Sequence, residues 1–274
     1  MSNSTGGSRL YSRYGPVAVV TGASSGIGRA MAVQAAAAGL DVVLVARGQQ
    51  LLDELAVELT ASYGVHAQVV AADLGTTAGV TELLEATAGV DVGMLCAAAG
   101  FGTSGQFLEA DIDTELNMLD VNCRAVLLMT HEFGRRLAAR GRGGIVLMGS
   151  LVGYQGTPNA AHYAATKAYV QTLAEGLHAE LRKSGVDVLS SAPGLVHTGF
   201  ADRAGMTVGR AVHPHTVAAQ SLSALGRRAT VAPGGLSKVL SWSLAPLPRS
   251  ARTRIMGQVM GGMTKSAHAT VGTS

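Results

Sequence analysis

Short, almost uninterrupted apolar runs alternate with longer helix-like stretches through most of this sequence. The stretches between the runs carry apolar residues at helical spacing, as at Leu51, Leu55 and Leu59. Strands that are apolar on both faces are typical of a parallel sheet covered by helices on each side. The sequence therefore predicts an α/β fold, a doubly wound parallel sheet of about seven strands with helices on both faces, in a single domain.

The alternation also fixes where the elements are expected. The pattern predicts strands at residues 16–20, 41–45, 69–71, 92–97, 145–148 and 186–190. It predicts helices at residues 28–38, 49–63, around 80–84, 112–140 and 161–183. No composition break marks a second domain, so residues 14–265 are predicted to form one domain between flexible tails at 1–13 and 266–274. Residues 198–214 lack periodicity and are expected to form a substrate loop. The apolar segment 236–263 is expected to form a cover over the site or an interface with a partner.

Composition excludes several classes of function. Basic residues number 21 and acidic residues 18, and the resulting charge of +3 is spread out, so nucleic-acid binding is not expected. No run of apolar residues is long enough for a membrane span, and the first residues lack the apolar core of a secretory signal. Arg249, Arg252 and Arg254 within the segment 236–263 leave a peripheral membrane contact as a less favoured alternative to a cover or a partner surface.

The sequence has few cysteines and histidines that could bind a metal ion. Cys96 and Cys123 are far apart and belong to no Cys-x-x-Cys pair, which indicates reduced thiols and, weakly, a cytoplasmic location. The one close histidine pair, His213 and His215, has no cysteine or carboxylate cluster beside it. No metal site is therefore expected.

A glycine-rich turn lies between the first predicted strand and the first predicted helix. Gly22, Gly26 and Gly28 allow a tight turn, and the helix that follows presents its N-terminal N–H groups. In this context the turn predicts dinucleotide binding, with Ser24, Ser25 and Ile27 as further contacts. The alternative is an ordinary glycine turn.

The end of the second strand is expected to select the cofactor. An acid there binds a ribose 2′-hydroxyl, whereas an arginine accommodates a 2′-phosphate. This strand ends in Arg47, with no acid, and a guanidinium grips a phosphate with paired hydrogen bonds. NADP(H) is therefore favoured over NAD(H), with Arg29 as a weaker second phosphate ligand and a plain surface role for Arg47 as the alternative.

Tyr163 and Lys167 are four residues apart on a predicted helix, so they share one face. A phenol is a poor base at its reference pKa of about 10. A cation at ~4 Å is expected to lower the pKa of that phenol by up to about 3, which would allow proton exchange with an alcohol. Ser150, which ends the fifth strand, is placed to hydrogen-bond a substrate oxygen. The alternative is an exposed lysine beside a half-buried tyrosine.

Taken together, these motifs resemble the short-chain dehydrogenase/reductase family over roughly residues 14–230. The residues that carry the resemblance are Thr21 to Gly28, Asp73-Leu74, Asn122, Ser150, Tyr163, Lys167, Pro193-Gly194, Val196 and Thr198. The family usually carries Asn-Asn-Ala-Gly after its fourth strand, where this chain has Ala97-Ala98-Ala99-Gly100. The missing amide puts a link between neighbouring strands in doubt.

The resemblance implies a role for each matched position. Tyr163 would be the general acid or base, Ser150 would hold the carbonyl, and Lys167 would bind the nicotinamide ribose. Asn122 would support a water chain to that lysine, and Asp73 would contact the adenine. The remaining cofactor contacts would be Leu74, Ala99, Gly100, Pro193, Gly194, Val196 and Thr198. A homodimer or homotetramer is implied, with contacts through the helices at 112–140 and 161–183.

The residues predicted at the mouth of the site are mostly apolar, although several could instead belong to the core. They are Phe101, Phe107, Leu151, Val152, Tyr154, Leu195, Phe200 and Met206. They predict an NADPH-dependent carbonyl reductase of a hydrophobic ketone. An NADP-dependent alcohol dehydrogenase using the same residues in reverse is the second hypothesis. The third is a cofactor-sensing protein without turnover, which would be expected to lose Ser150, Tyr163 or Lys167.

Overall fold

The fold is described from a computed structural model of the 274-residue chain. It describes residues 4–199, 211–235, 243 and 246–271, and side chains within residues 9–199, 211–235, 243 and 246–262.

Seven parallel strands form one sheet, as predicted, and their order in it is β3-β2-β1-β4-β5-β6-β7. The strands are β1 (Val17–Thr21), β2 (Asp41–Ala46), β3 (Ala67–Ala71), β4 (Val92–Ala97), β5 (Gly143–Met148), β6 (Val186–Ser191) and β7 (Thr230–Val231). The order reverses between β1 and β4, and ligands bind beyond the carboxyl ends of strands at such a switch point. The two-residue β7 is too short to leave a pattern in the sequence.

Helices lie between the strands and cover both faces of the sheet. They are α1 (Ser4–Tyr14), α2 (Gly26–Ala37), α3 (Gln49–Tyr63), α4 (Thr77–Ala86), α5 (Ile112–Leu119), α6 (Ala125–Arg140), α7 (Ala161–Leu181), α8 (Pro214–Ala224) and α9 (Arg249–Val271). The helix predicted at 112–140 is α5 and α6 joined by a π-helical turn, Asp120–Arg124. Such turns are frequent at functional sites, and this one buries Asn122.

Two apolar clusters, one on each face, hold the helices to the sheet. Met31 and Leu52 belong to the cluster under α2 and α3, and Leu83, Phe133 and Val170 to the cluster under α4, α6 and α7. All five side chains are fully buried, and full burial of a side chain of this size contributes about 1.5–3 kcal/mol. Two buried faces explain why the strands are apolar throughout.

The prediction of a flexible tail over residues 1–13 is wrong, because residues from Ser4 onward form α1. Leu10 and Tyr14 are buried, and the guanidinium of Arg9 donates to the carbonyl oxygen of Leu225 at 2.8 Å. The tail predicted at 266–274 is also wrong in part, because α9 runs to Val271. The sequence from Thr264 to Val271 contains neither glycine nor proline to end that helix.

The predicted substrate loop at 198–214 lies mostly outside the described residues. At its near end, Val196 forms a parallel bridge with Val212, and His197 donates its backbone N–H to the carbonyl oxygen of Val212 at 2.9 Å. Helix α8 then begins at Pro214. The two ends of this segment are thus held together beside the carboxyl end of β6.

Candidate active site

One cavity of about 660 Å³ opens at the carboxyl end of the sheet and extends from the first turn of α2 to α7. Every residue predicted to bind the cofactor lines it, apart from the weaker candidate Arg29, and so does Ser150. These are Gly22, Ser24, Ser25, Gly26, Ile27, Gly28, Arg47, Asp73, Leu74, Ala99, Gly100, Tyr163, Lys167, Pro193, Gly194, Val196 and Thr198. Residues from six separate loops therefore meet around one space.

Close approach of the backbone explains the glycines of the turn. Gly22 has a φ of +69°, and a Cβ there would lie 3.0 Å from the backbone of Ala99. A Cβ on Gly28 would lie 2.2 Å from the carbonyl oxygen of Gly22, and one on Gly26 2.9 Å from the methyl group of Thr198. The turn is thus compact, and the N-terminus of α2 faces a ligand space, as a pyrophosphate site requires.

The far end of this ligand space is polar. Arg47, at the end of β2, is exposed and has no described hydrogen-bond or ion-pair partner. Arg29, the weaker phosphate candidate, instead pairs with Glu58. Asp73 accepts a hydrogen bond from the backbone of Gly75 at 2.9 Å. Sequence reasoning missed the wall that α5 and the π turn contribute here, which consists of Thr114, Asn117 and Val121.

Tyr163 and Ser150 face each other at the inner end of the cavity. A hydrogen bond between their hydroxyl groups lowers the pKa of Tyr163, but burial outweighs it and raises that pKa to about 12. Ser150 also caps the 3₁₀ turn Leu151–Tyr154 by accepting from the backbone of Val152 at 3.5 Å. The phenol therefore keeps its proton at neutral pH, with the hydroxyl of Ser150 as its hydrogen-bond partner.

The ammonium of Lys167 lies 5.8 Å from the centroid of the Tyr163 ring and donates to the carbonyl oxygen of Met148 at 2.9 Å. Burial lowers the pKa of Lys167 to about 8. The prediction that Lys167 brings the pKa of Tyr163 down toward neutrality is wrong for this structure. The reason is that desolvation dominates the titration of both side chains, and the ammonium is committed to a backbone carbonyl.

Asn122 lies behind the cavity wall rather than in it. Its amide donates to the carbonyl oxygen of Phe101 at 2.8 Å and to the hydroxyl of Thr166 at 3.1 Å, and its oxygen accepts from the backbone of Phe101 at 3.1 Å. A Cβ on Gly100 would lie 2.9 Å from that oxygen and 3.3 Å from Nζ of Lys167. Asn122 thus fixes the loop after β4 against α7, close to the lysine.

The three alanines after β4 do not leave the neighbouring strands unlinked. The hydroxyl of Thr21, at the end of β1, accepts from the backbone N–H groups of Ala98 at 3.1 Å and Ala99 at 3.0 Å. Thr21 therefore provides the link between neighbouring strands that the missing amide had put in doubt.

The other end of the cavity is apolar. Phe101, Leu151, Val152 and Leu195 line it, as predicted. The predictions for Phe107 and Tyr154 are wrong. Phe107 is exposed and lines a second, smaller cavity. Tyr154 lies outside the described lining residues, because the 3₁₀ turn directs it toward Gln171 and Glu175. Phe200 and Met206 lie outside the described residues.

The C-terminal helix completes the apolar end. Ile255, Met256, Val259 and Met260 of α9 line the cavity. They fall at positions i, i+1, i+4 and i+5, which lie along one helical face. This spacing was the signal in the sequence, where the segment was interpreted only as a cover or an interface.

The sheet order, the glycine turn at a switch point and the buried tyrosine, lysine and serine define an NAD(P)-dependent oxidoreductase that acts on CH–OH groups. A family model, short chain dehydrogenase, matches residues 16–208. The chain belongs to this family.

Curated relatives include a 7beta-hydroxysteroid dehydrogenase of Clostridium sardiniense, 32% identical over 230 residues, which cover 82% of this chain and 88% of the relative. A very-long-chain 3-oxoacyl-CoA reductase of Neurospora crassa is 38% identical over 185 residues, covering 66% of this chain and 56% of the relative. The second match therefore reaches only about half of that longer protein.

Solved structures of similar proteins have the same fold. A 7beta-hydroxysteroid dehydrogenase structure superposes with a TM-score of 0.83 at 28% identity, covering 90% of this chain and 98% of that one. A short-chain dehydrogenase from Sphingobium yanoikuyae in complex with NADPH gives a TM-score of 0.77 at 30% identity, covering 88% and 95%. Within the described residues, no helix is both long and apolar enough to cross a bilayer.

Proposed function

We propose that this chain is an NADPH-dependent carbonyl reductase that acts on a hydrophobic ketone. The observation that carries the proposal is the hydrogen-bonded pair Ser150 and Tyr163, which is buried where the ligand space of the turn meets an apolar chamber. A proton donor is thus placed beside both the expected nicotinamide position and the substrate.

The described residues fit a bound dinucleotide. The glycine turn and the first turn of α2 would hold the pyrophosphate, Asp73 and Leu74 the adenine, and Arg47 the 2′-phosphate. Ala99, Gly100, Pro193, Gly194, Val196 and Thr198 would surround the nicotinamide half, with Lys167 at its ribose. When bound, the reduced nicotinamide supplies a hydride, and the protein supplies orientation and the proton.

Tyr163 would donate its proton to the carbonyl oxygen, and Ser150 would donate a second hydrogen bond that orients the carbonyl. Because burial holds the pKa of Tyr163 near 12, the phenol is fully protonated at neutral pH, as a general acid requires. Lys167, with a pKa of about 8, exchanges protons in the neutral range. It is therefore suited to returning a proton toward the phenol, with Asn122 as the residue that holds the loop beside it.

A hydrophobic substrate is supported by the apolar walls and by the relatives. Phe101, Leu151, Val152 and Leu195 form one wall and α9 the other. The names of the relatives refer to hydroxysteroids and very-long-chain 3-oxoacyl-CoA, and a structural neighbour from Comamonas testosteroni, with a TM-score of 0.73, is described as specific for bulky-bulky ketones. All of these substrates carry large apolar groups.

We also propose self-association through α5, α6 and α7. Ile112, Leu116, Leu119, Leu127 and Leu128 are exposed on the first two helices. Large exposed apolar patches mark interaction sites, and these helices are the ones that the family resemblance assigns to a homodimer or homotetramer. A cytoplasmic location stays a prediction from the two reduced cysteines.

Turnover separates the proposed reductase from the two other hypotheses. Purified protein is incubated with NADPH and a panel of aliphatic, cyclic and steroidal ketones, and the NADPH absorbance is followed. The reductase consumes NADPH with a hydrophobic member of the panel, whereas a cofactor-sensing protein binds NADPH and consumes none. Oxidation of the matching alcohols with NADP⁺ measures the reverse direction.

Tyr163→Phe then tests the proton donor, with Tyr169→Phe as its matched control. Tyr169 lies on the same helix but is 38% exposed. We expect Tyr163→Phe to lose at least about 100-fold in kcat while NADPH still binds, and Tyr169→Phe to keep wild-type turnover. Unchanged turnover in Tyr163→Phe would remove the phenol from the mechanism.

A further inference from the structure

Helix α9 packs into the apolar cluster that contains the residue that we propose as the proton donor. Met260 is buried in one apolar cluster with Tyr163, Met118 and Ala160. Met256, one turn earlier, is also buried and lines the apolar chamber. The position of α9 therefore decides both the size of the chamber and the exclusion of water from Tyr163.

Small residues allow α9 to dock closely. Thr253, Gly257 and Gly261 recur at every fourth position and face the segment at residues 156–159, which precedes α7. A Cβ on Gly257 would lie 3.0 Å from Cγ and 3.3 Å from Cβ of Pro158. Gly261 stands near Asn159, with 3.9 Å between a Cβ there and Nδ2. Gly257 is thus the tightest of these contacts.

The surface that receives α9 is itself rigidly held. Thr157 is buried, and the N–H of Ala160 donates to its carbonyl oxygen at 3.1 Å. The N–H of Gly105 donates to the carbonyl oxygen of Asn159 at 2.9 Å, which ties the segment to the loop after β4. A side chain added at Gly257 therefore meets a surface with little freedom to retreat, and α9 has to move instead.

We infer that the contact between Gly257 and Pro158 sets the distance of α9 from the substrate, and so determines how large a ketone the enzyme accepts. Gly257 is a positioning residue, and it acts through Met256 and Val259, which face the chamber. This inference rests on the proposed function for its substrate, but the docking itself can be tested without turnover.

The kinetic test compares Gly257→Leu with Gly262→Leu. Gly262 lies on the same helix, and a Cβ there would meet no described atom within 4 Å, so this control adds the same side chain away from the contact with Pro158. The probes are a steroidal ketone, which would reach α9, and cyclohexanone, which would not. For Gly257→Leu we expect KM to rise about tenfold for the steroid, with unchanged KM for cyclohexanone and unchanged NADPH affinity.

A second measurement reports docking even if no ketone is turned over. Arg249, Arg252 and Arg254 lie in the first turns of α9 and are trypsin sites. Displacement of α9 in Gly257→Leu is expected to speed cleavage at these arginines several-fold, measured by mass spectrometry, with Gly262→Leu cleaved at the wild-type rate. If Gly257→Leu fails to fold, as judged by circular dichroism, Gly257→Ala replaces it with smaller changes of the same sign.

The outcomes separate the two proposals. Absence of turnover in wild type with every ketone overturns the proposed function, and the trypsin result alone then decides the docking. Equal cleavage in both leucine variants and wild type overturns the inference, as does a rise in KM that is the same for the steroid and cyclohexanone.

Discussion

The ammonium of Lys167 donates a hydrogen bond to the carbonyl oxygen of Met148, 2.9 Å away, at the carboxyl end of β5. This bond holds a buried lysine within reach of Tyr163 without an acidic partner among the described residues, and burial lowers the pKa of the lysine to about 8. A charge kept in a buried site at a cost in stability is typical of a functional residue.

The first prediction concerns stability against pH. Burial lowers the pKa of Lys167 to about 8 in the folded protein, from an ordinary value of 10.5. Between these pH values the unfolded chain binds more protons, so the contribution of Lys167 to stability rises with pH. Relative to Lys167→Met, wild type should gain about 2 kcal/mol between pH 7 and pH 9.5. Urea unfolding of both proteins at the two pH values measures this change.

Other groups that titrate at alkaline pH largely cancel in this comparison. Burial raises the pKa of Cys96 to about 12 and that of Cys123 to about 11. Their contributions to stability fall as pH rises. The contribution of Cys96 falls alike in both proteins, whereas Lys167→Met also removes the ammonium that lowers the pKa of Cys123 in wild type. A difference between wild type and Lys167→Met that stays constant with pH would contradict the lowered pKa.

The second prediction concerns the choice of cofactor at Arg47. A hydrogen bond to a charged group contributes about 1.5–3 kcal/mol, and an acid at this position would also repel a phosphate. Arg47→Asp should therefore lower the NADPH-to-NADH affinity ratio by at least about tenfold. The two dissociation constants, measured by titration calorimetry, give the ratio for each variant.

Arg29→Gln is the control for this prediction, because Arg29 is exposed and pairs with Glu58. Arg29→Gln should leave the NADPH-to-NADH affinity ratio unchanged. It should also change stability little, since surface ion pairs of this kind contribute about 0–1 kcal/mol to folding. A collapse of the ratio in Arg29→Gln, with no effect at Arg47, would transfer the phosphate site to Arg29.

The sheet could be predicted from the sequence because its central strands are buried on both faces, as Val42 to Val45 illustrate, whereas the edge strand β3 is only partly buried. Most residues that line the ligand space could be predicted because they follow those strands directly, so the topology brings them to one edge. The predicted bounds of the helix at 49–63 agree with those of α3 because Leu52, Leu55 and Leu59 all face the core.

Elements that depend on distant partners were not predictable. Helix α1 has a serine- and glycine-rich sequence with weak helix propensity, and it is held by contacts more than 170 residues away, such as that between Tyr14 and Asp187. The protonation of Tyr163 depends on desolvation, which spacing along a helix does not reveal. The positions of Met256 and Met260 at the apolar end of the cavity depend on how α9 docks, which the sequence does not reveal.

The third prediction concerns Asn122 and the loop after β4. Asn122→Ala removes three hydrogen bonds and leaves buried partners at Phe101 and Thr166, and each unsatisfied group costs about 1–3 kcal/mol. We expect a loss of about 3 kcal/mol in the free energy of unfolding. Asn117→Ala, at a cavity-lining position on α5, should cost far less. A loss below ~1 kcal/mol in Asn122→Ala would show that the π turn holds the loop without this amide.

The last prediction tests whether α1 is part of the folded domain. The carboxylate of Asp187 accepts from the hydroxyl of Tyr14 at 2.8 Å and from Nε of Arg13 at 2.7 Å. Tyr14 is fully buried, whereas half of the Arg13 side chain is exposed, so most of the stabilisation should come from the tyrosine. Asp187→Ala should lower the free energy of unfolding by about 2 kcal/mol, because it leaves a buried hydroxyl unpaired.

A double-mutant cycle with Tyr14→Phe isolates this hydrogen bond. The double mutant should lose about 1 kcal/mol less free energy of unfolding than the two single mutants lose in sum, because each substitution alone already removes the same hydrogen bond. Ser12→Ala, on the exposed side of α1, should change stability by less than about 0.5 kcal/mol. If Asp187→Ala unfolds at the wild-type urea concentration, α1 contributes no stability through this contact.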